Sequence, residues 1–353
     1  MTRGDRVRFA AAGLTDRARK SLAWAAARTS RRLSIVLGRP RLTWAVKISA
    51  PDDWTGDVWG DVFYADDLAA SLRRLGQTVY VDRFESRRRP VQRVPDDVVV
   101  HLVGLRPPVL VPGAVNILWV ISHPELLGDA ELGLDWAARF AASVDWAERM
   151  SVPGREVQPL LQATDPGRFH PEPGEQDIAA LFVGKTRAVF RPIIRDALEV
   201  GADLTIYGDG WEEFIDTSYV AAEFLDNAEV PAAYRRARVV LNDHWDDMAR
   251  DGFVSNRLFD AVATGARVIS DDVRGLPTEF GGSVQIYRST EELAALLDPA
   301  SPRWPSPAAL LLNAAATARA HSFDDRARAL LATALSARRG RPRSSATPPR
   351  TPA

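Results

Sequence analysis

The chain has 353 residues, of which 46% are hydrophobic, enough to bury two medium-sized cores, and this length favours two domains. It has no cysteine, which excludes disulfides, thiolate nucleophiles and cysteine-ligated zinc. The five histidines do not occur at the spacing of a metal-ligand pair, so a histidine-rich metal site is not expected.

Positive charge is concentrated at the two ends of the chain. Residues 1–41 hold 11 basic and 2 acidic residues, and residues 337–353 hold 5 arginines and no acidic residue. Residues 42–336 hold 29 basic and 44 acidic residues, a net charge of −15 within a chain whose formal total is −1. A strongly acidic body argues against nucleic acid as a partner.

The basic N-terminal arm, residues 1–41, has apolar residues at helical spacing with arginines between them. This pattern fits a basic amphipathic helix on an anionic membrane surface, and equally a solvated extension. No apolar run is long enough to span a bilayer, and LAWAAA is too short for a signal peptide. A cytoplasmic protein with peripheral contact at the inner membrane face is therefore expected. The basic tail, residues 337–353, is expected to be disordered.

The first α/β pattern covers residues 42–165. Its apolar runs are nearly continuous, which is typical of parallel strands covered on both faces. Strands are predicted at residues 42–48, 78–82, 98–104, 114–122 and 157–163, and helices at 62–76 and in the first half of 135–150. Between the first strand and the first helix, the loop of residues 52–61 carries Trp54 and Trp59, whose rings can stack on sugars or plug a core.

A Pro-, Gly- and charge-rich segment, residues 164–176, is the best boundary, and the α/β pattern then restarts over residues 166–336. Strands are predicted at residues 178–184, 203–208, 238–242, 267–270 and 283–287, and helices at 189–200, 230–237, 254–264, 291–297 and 308–336. The predicted fold class is α/β, with two Rossmann-like parallel-sheet domains facing each other across a cleft. The last helix is a candidate to cross back to the first domain.

The most informative segment is DGFVSNRLFDAVATG, residues 251–265, which is followed by a short β-branched strand. The free N–H groups of Ser255 and Asn256 at a helix start, together with Arg257, suit a phosphate or diphosphate. Asp260 lies about one turn further on the same face and suits a ribose diol. An ordinary crossover helix with a surface Arg–Asp pair explains the same spacing.

Polar residues also follow other predicted strands, at the edge where parallel sheets bind ligands. His123 comes just after the fourth strand of the first domain and is a candidate acceptor contact or catalytic base. In the second domain, Asn242 and His244 end one strand, and Asp209 and Gly210 follow another. These four are candidate contacts to the sugar or the nucleotide.

Four motifs occur in the order found in two-domain glycosyltransferases of the GT-B fold: LLQATDPGRFHP, ALFVG, YGDGW, and VVLN followed by GFVSNRLFDAVATGARVISD. On these motifs the chain resembles CgeB-like transferases (glycosyl transferases group 1) and is similar to the retaining family 4 enzymes, well over residues 157–297 and loosely before them. The resemblance implies transfer of a sugar from a nucleotide-diphosphate sugar to a polysaccharide or glycolipid precursor, with retention and without a metal or cofactor.

The resemblance also implies roles for two acidic residues. Family 4 enzymes carry an E-x7-E pair, and Asp260 falls on its second glutamate, which holds the ribose. The first glutamate falls on Gly252, so Asp251, one residue away, is the candidate catalytic acid in this region. This departure leaves open a non-catalytic nucleotide-sugar-binding module.

Two cations of the family bind the donor phosphates, after the first strand of the donor domain. Lys185 matches the first, and Arg191 lies one residue beyond the second, with Arg187 as its competitor. Such cations neutralise the diphosphate leaving group as the glycosidic bond breaks. A nucleotide-sugar epimerase of the same fold also remains open, whereas a dinucleotide dehydrogenase is disfavoured because no G-x-G-x-x-G follows the first strand of either domain.

Overall fold

The computed structural model describes residues 40–84 and 96–340, together with Thr29 and Ser34. The predicted membrane contact of the arm concerns residues that lie outside this part of the chain. The predicted disorder of the tail also concerns residues outside this part of the chain, apart from residues 337–340. These four residues continue a helix instead of being disordered. Within the described residues, no helix is both long enough and apolar enough to cross a membrane.

The first domain is a six-stranded parallel sheet with the order β2-β1-β3-β4-β5-β6. Its central strands β3 and β4 are buried along their whole length, as their apolar runs predict. The strands are β1 Thr43–Pro51, β2 Thr78–Phe84, β3 Val98–Val103, β4 Val115–Val120, β5 Ala138–Ala141 and β6 Gln158–Pro159, and the helices are α1 Gly60–Arg74, α2 Asp129–Leu132 and α3 Val144–Met150.

The second domain is also a six-stranded parallel sheet, with the order β12-β11-β10-β7-β8-β9. The strands are β7 Ile178–Val183, β8 Leu204–Tyr207, β9 Val220–Ala222, β10 Ala237–Asn242, β11 Val268–Ser270 and β12 Val284–Ile286. The helices are α4 Pro192–Glu199, α5 Val230–Arg236, α6 Asp246–Asp251, α7 Asn256–Ala263, α8 Thr290–Leu297, α9 Pro307–Ala320 and α10 Phe323–Gly340. Two parallel sheets in tandem confirm the predicted fold class.

The prediction for residues 135–150 is wrong in its order of elements. The first half of this segment is strand β5, which pairs in parallel with β4, and the helix α3 occupies the second half. Ser143 separates the two, since its hydroxyl accepts a hydrogen bond from the Trp146 N–H and caps the helix. The alanine-rich strand has helical propensity, but pairing with β4 overrides it. The short elements β9 and α6 were not predicted either.

The chain passes between the domains twice, and the two passages are joined by backbone hydrogen bonds. The Thr164 N–H donates to the His321 carbonyl at 2.8 Å, and the Phe323 N–H donates to the Thr164 carbonyl at 3.1 Å. Beyond this point α10 returns to the first domain, where Phe323, Ala327 and Leu330 join the core beneath α1. The last helix therefore belongs to the first domain by packing, although it is last in the sequence.

A buried arginine holds these two passages together. The Arg326 guanidinium donates to the carbonyls of Leu161 at 2.7 Å, Gln162 at 2.9 Å and Ala320 at 3.2 Å, and its Nη2 also reaches His321 Nδ1 at 2.9 Å. Burial lowers the pKa of Arg326, because it disfavours the charged form. The carbonyl groups offset that cost by accepting charge-assisted hydrogen bonds.

A second contact joins the domains through α6 and the residues after it. Met248 and Phe253 are buried in an apolar cluster of the first domain, where the Phe253 ring meets Trp146 edge-on at 5.7 Å. Beside this cluster the Ser143 hydroxyl donates to the Asp251 carbonyl at 2.6 Å. The two domains are thus in contact at the chain passages and again at α6.

Arg326→Ala is expected to lower the free energy of unfolding by about 3 kcal/mol, because it removes the donors of buried carbonyl groups. Arg328→Ala is the matched control: its side chain is 59% exposed and pairs with Asp325 on the same helix, so a loss within about 0.5 kcal/mol is expected. Thermal or urea unfolding measures both, and equal losses would contradict the role assigned to Arg326.

Candidate functional site

A cleft of about 540 Å³ lies between the two domains, at the carboxyl ends of both sheets. The first domain contributes the start of α1 and the loops after β3 and β4. The second domain contributes the loops after β7, β8 and β10 and the start of α7. Every one of these segments directly follows a parallel strand or begins a helix, so backbone amides and side chains point into the same space.

Two glycines allow the loops after β7 and β8 to approach each other. Gly208 has φ +155°, and a Cβ there would collide with the carbonyl oxygen of Gly184. A Cβ on Gly184 would lie 3.0 Å from Arg257 Nη2 and 3.1 Å from Arg191 Nη1. Position 208 therefore requires glycine, and at Gly184 the guanidinium groups pack directly against the backbone beside the cleft.

The N-terminus of α7 is held in place from behind by His244. The imidazole Nε2 accepts a hydrogen bond from the Ser255 N–H at 3.0 Å, and Nδ1 contacts the Asp271 carboxylate at 2.6 Å. Nδ1 therefore carries the proton. Burial acts to raise the pKa of Asp271, but hydrogen bonds from His244 and Ser270 outweigh it and lower that pKa. His244 is buried outside the cleft wall, so it positions Ser255 and does not contact a ligand directly.

Arg257 extends from α7 into the cleft and is oriented by Asn242. Its Nη1 donates to Asn242 Oδ1 at 2.9 Å, while Asn242 Nδ2 donates to Ser270 Oγ at 3.1 Å. Asn242 is fully buried and does not line the cleft. The predicted ligand contact by Asn242 is therefore replaced by a supporting role, in which it fixes the direction of the guanidinium.

Arg187, and not Arg191, occupies the cleft. Arg187 has a left-handed backbone with φ 61°, and its guanidinium lies 4.2 Å from the centre of the Trp245 ring. Burial, with a contribution from Arg257, lowers the pKa of Arg187 to about 10. Arg191 is enclosed behind the wall, where it pairs with Asp243 and donates to the Lys185 carbonyl at 2.8 Å. We therefore assign the position in the cleft wall to Arg187, the competitor, and not to Arg191.

Lys185 lines the cleft as predicted by its place after β7, with its ammonium 3.4 Å from the Asp209 carboxylate. Asp209 and Gly210 lie next to the cleft and are not part of its wall. Gly210 has φ +80°, and a Cβ there would lie 2.8 Å from Thr186 Oγ1, so it serves the close turn after β8. Ser255 and Asn256 line the cleft at the start of α7.

Asp260 lies deeper in the cleft, one turn into α7. Asn256 Nδ2 donates to one of its oxygens at 2.8 Å, while Asp260 Oδ1 and Asn256 Oδ1 have no hydrogen-bond partner among the described residues. Burial raises the pKa of Asp260 well above its ordinary value, and the Asp67 carboxylate adds to this effect. Two unpaired acceptors in a cleft suit a ligand with paired hydroxyl donors.

His123 enters the cleft from the first domain in a strained backbone conformation, with φ 48° and ψ 53°. Its Nδ1 lies 3.6 Å from Asp247 Oδ2, which has no hydrogen-bond partner, and its ring lies 5.2 Å from that of Trp245. Burial lowers the pKa of His123, against the opposing effects of Asp247 and Glu125. The imidazole is therefore neutral near pH 7 and able to accept a proton.

Asp251 does not lie in the cleft. Its carboxylate pairs with Arg149 of the first domain and with Arg250, and its carbonyl accepts the Ser143 hydroxyl. The catalytic role that the E-x7-E spacing of the family implies for Asp251 has no support from the position of its side chain. The residue joins the two domains instead.

Asp61 was not selected from the sequence, although it ends the loop that follows β1. It lies in the first turn of α1 and lines the cleft, and a Cβ on Gly104 would lie 2.9 Å from its Oδ2. Burial raises the pKa of Asp61 from its ordinary 3.8 to about 6. None of the described residues forms a hydrogen bond or ion pair with this carboxylate. The signal in the sequence that could have identified Asp61 is its position after β1, a strand whose carboxyl end faces the cleft.

Asp61→Asn is expected to raise the melting temperature at pH 7.5 by about 2 °C or more. The folded-state pKa is higher than the unfolded one, so ionised Asp61 costs stability above pH 6 and costs none below about pH 4. The gain should therefore disappear as the pH falls from 6 to 4 in a series of thermal melts. Asp57→Asn, in the same loop but exposed and paired with Arg83, should give no gain at any pH, and a pH-independent gain in Asp61→Asn would contradict this account.

Comparisons with known proteins agree with the geometry. A model of the family described as Glycosyl transferase-like matches residues 185–332. No curated protein sequence matches the chain. Among solved structures, AviGT4, a glycosyltransferase involved in avilamycin A biosynthesis, is 18% identical, with a TM-score of 0.57 over 85% of this chain and 99% of its own.

Two further structures show the same arrangement. Sucrose-phosphate synthase from Thermosynechococcus elongatus is 13% identical, with a TM-score of 0.57 over 84% of this chain and 100% of its own. The catalytic domain of starch synthase IV from Arabidopsis thaliana is 10% identical, with a TM-score of 0.50 over 84% of this chain and 99% of its own. These similarities confirm the predicted GT-B fold. The family match over residues 185–332 agrees with the predicted glycosyltransferase class.

Proposed function

We propose that the protein transfers a sugar from a nucleotide-diphosphate sugar to a hydroxyl acceptor in the cleft between its domains. The observation that carries the proposal is the cationic wall formed by Lys185, Arg187 and Arg257 beside the N-terminus of α7. Three cations around one cleft edge, beside a helix N-terminus, form a site for a diphosphate.

In this proposal the cationic wall stabilises the leaving group. As the bond between the anomeric carbon and the diphosphate oxygen breaks, negative charge grows on that oxygen, and the guanidinium groups and the ammonium neutralise it. Asn242 and His244 hold Arg257 and Ser255 in position before the ligand binds, so little reorganisation is needed. Because side chains supply this charge, the proposal includes transfer without a bound metal ion or other cofactor.

The unpaired oxygens of Asp260 and Asn256 support the placement of the nucleoside. We assign them to the ribose diol, as the family resemblance implies for Asp260. Next to them, Phe224 and Asn227 line the cleft after β9 and are available to the base. His123, neutral and backed by Asp247, is assigned to a contact with the acceptor from the opposite wall.

The stereochemical outcome in this proposal is retention of configuration, on the strength of the likeness to family 4 enzymes. The anomeric configuration of the glycoside that is formed, read by proton NMR and compared with that of the donor, tests this part separately. An epimerase would instead consume the nucleotide sugar in the absence of any acceptor, and a binding module would bind it without turnover. Both alternatives are therefore distinguished by incubating the donor with and without acceptor.

Arg257→Ala is expected to weaken binding of the preferred nucleoside diphosphate by about 10- to 100-fold, the usual effect of losing a charge-assisted hydrogen bond. Calorimetry with UDP, GDP, ADP and TDP on the wild type identifies the nucleotide. Arg288→Ala, an exposed arginine paired with Asp272, serves as the control and should bind normally. The proposal fails if no nucleotide binds at millimolar concentration, or if both variants bind as the wild type does.

The site of action proposed for the protein is the inner face of a membrane, with residues 1–41 as the contact and a glycan or glycolipid precursor as acceptor. The charge of this arm, 11 basic against 2 acidic residues, supports the proposal. Co-sedimentation with vesicles containing anionic lipid should retain the full chain and release a chain that lacks residues 1–40. Equal retention of the two would contradict membrane contact through the arm.

A further inference from the structure

The two walls of the cleft differ in chemistry. The second domain supplies the cations Lys185, Arg187 and Arg257. The first domain supplies an apolar surface, which we call the apolar wall, formed by Val58, Trp59, Phe63 and Leu105. Two described carboxylates line the cleft from the first domain, Asp61 and Asp67. Asp67 is paired with Arg168.

We propose that the apolar wall and Asp61 form the acceptor subsite, that the acceptor is an uncharged hydroxyl compound with an apolar body, and that Asp61 accepts a hydrogen bond from the hydroxyl that receives the sugar. This inference rests on the proposed function for the placement of the donor. It narrows the acceptor class from glycans in general to amphiphilic compounds such as glycolipids or glycosides of apolar alcohols.

The charge of the first-domain side argues for an uncharged acceptor. A phosphate or carboxylate on the acceptor would lie next to the Asp61 carboxylate in a partly desolvated cleft, where like charges repel strongly. Arg168, the described cation that lines the cleft beside Asp67, is already bound to Asp67 and lies 3.5 Å from Asp165, so it is not available to offset the repulsion. The cations of the opposite wall are assigned to the diphosphate.

The shape and composition of the apolar wall argue for an apolar body. Trp59 and Phe63 are only partly buried by the protein, and Leu105 is 49% exposed. Rings and an aliphatic side chain left uncovered inside a cleft gain stability when an apolar ligand covers them. A strongly hydrated polyanionic chain would leave this surface without a partner.

No described residue pairs with the Asp61 carboxylate, and this argues for a ligand that donates a hydrogen bond to it. A desolvated carboxylate without a partner lowers stability, as the raised pKa of Asp61 reflects. The missing side chain at Gly104 lets the Asp61 carboxylate pack against the backbone after β3, since a Cβ there would come within 2.9 Å of Oδ2. A hydroxyl donor from the acceptor supplies the missing partner, and at pH 7.5 the carboxylate is ionised and able to accept it.

The test uses the full chain saturated with the nucleotide found by calorimetry. The probes are hexyl β-glucoside and p-nitrophenyl β-glucoside as uncharged amphiphiles, and glucose 6-phosphate and glucuronic acid as charged compounds. We expect the amphiphiles to bind at least 10-fold more tightly than the charged sugars, by saturation-transfer NMR titration. Trp59→Ala should reduce this preference at least 10-fold, and Asp61→Asn should weaken binding of the amphiphiles about 10-fold.

Trp54→Ala and Asp57→Asn are matched controls on the same loop, since Trp54 is 79% exposed and neither residue lines the cleft. Both should bind all probes as the wild type does. The inference is overturned if the charged sugars bind as tightly as the amphiphiles, if no amphiphile binds, or if Asp61→Asn and Trp59→Ala bind normally.

The nucleotide titration distinguishes this failure from failure of the proposed function. If the wild type binds nucleotide but no amphiphile, the proposed donor site stands and the proposed acceptor subsite is wrong. If the wild type binds amphiphiles through Trp59 and Asp61 but binds no nucleotide, the proposed acceptor subsite stands and the proposed transfer reaction is wrong.

Discussion

The arrangement of the two domains depends on the buried guanidinium of Arg326. The chain passes between the domains twice, and a passage of this kind leaves backbone carbonyls in an interior without partners unless a donor is supplied. Arg326 supplies several donors from one side chain and joins residues that are far apart in the sequence. With the passages fixed, the carboxyl ends of both sheets face one another, and the cleft is a consequence of that geometry.

Within the cleft, each domain provides one kind of chemistry. The second domain provides cations that are oriented by buried neutral partners, so that Asn242 directs Arg257 and His244 directs the start of α7. The first domain provides carboxylates, a neutral imidazole and an apolar surface. Cations and carboxylates would cancel each other if they were paired. Because Arg187 and Arg257 lie on the wall opposite Asp61, they leave a field across the cleft that orients a ligand with a charged end and an uncharged end.

The sequence predicted the fold well, because nearly continuous apolar strands alternate with amphipathic helices, and this alternation is a local pattern. It also predicted Lys185, Arg257 and Asp260 as cleft residues, since Lys185 follows a strand, Arg257 begins a helix and Asp260 lies one turn further on the same helix face. It failed where the outcome depends on distant partners. Arg191 and Arg187 cannot be ranked without knowing that Asp243 encloses one of them, and Asp251 cannot be removed from the site without knowing that Arg149 faces it.

The burial of Met248 and Phe253 against the first domain has a consequence for the rate at which ligands exchange. Separation of the domains on that side exposes apolar surface to water, and exposure of this kind is accompanied by a positive heat-capacity change. The equilibrium between closed and open cleft therefore has a curved dependence on temperature. The same few buried side chains therefore govern how the equilibrium between closed and open cleft responds to warming.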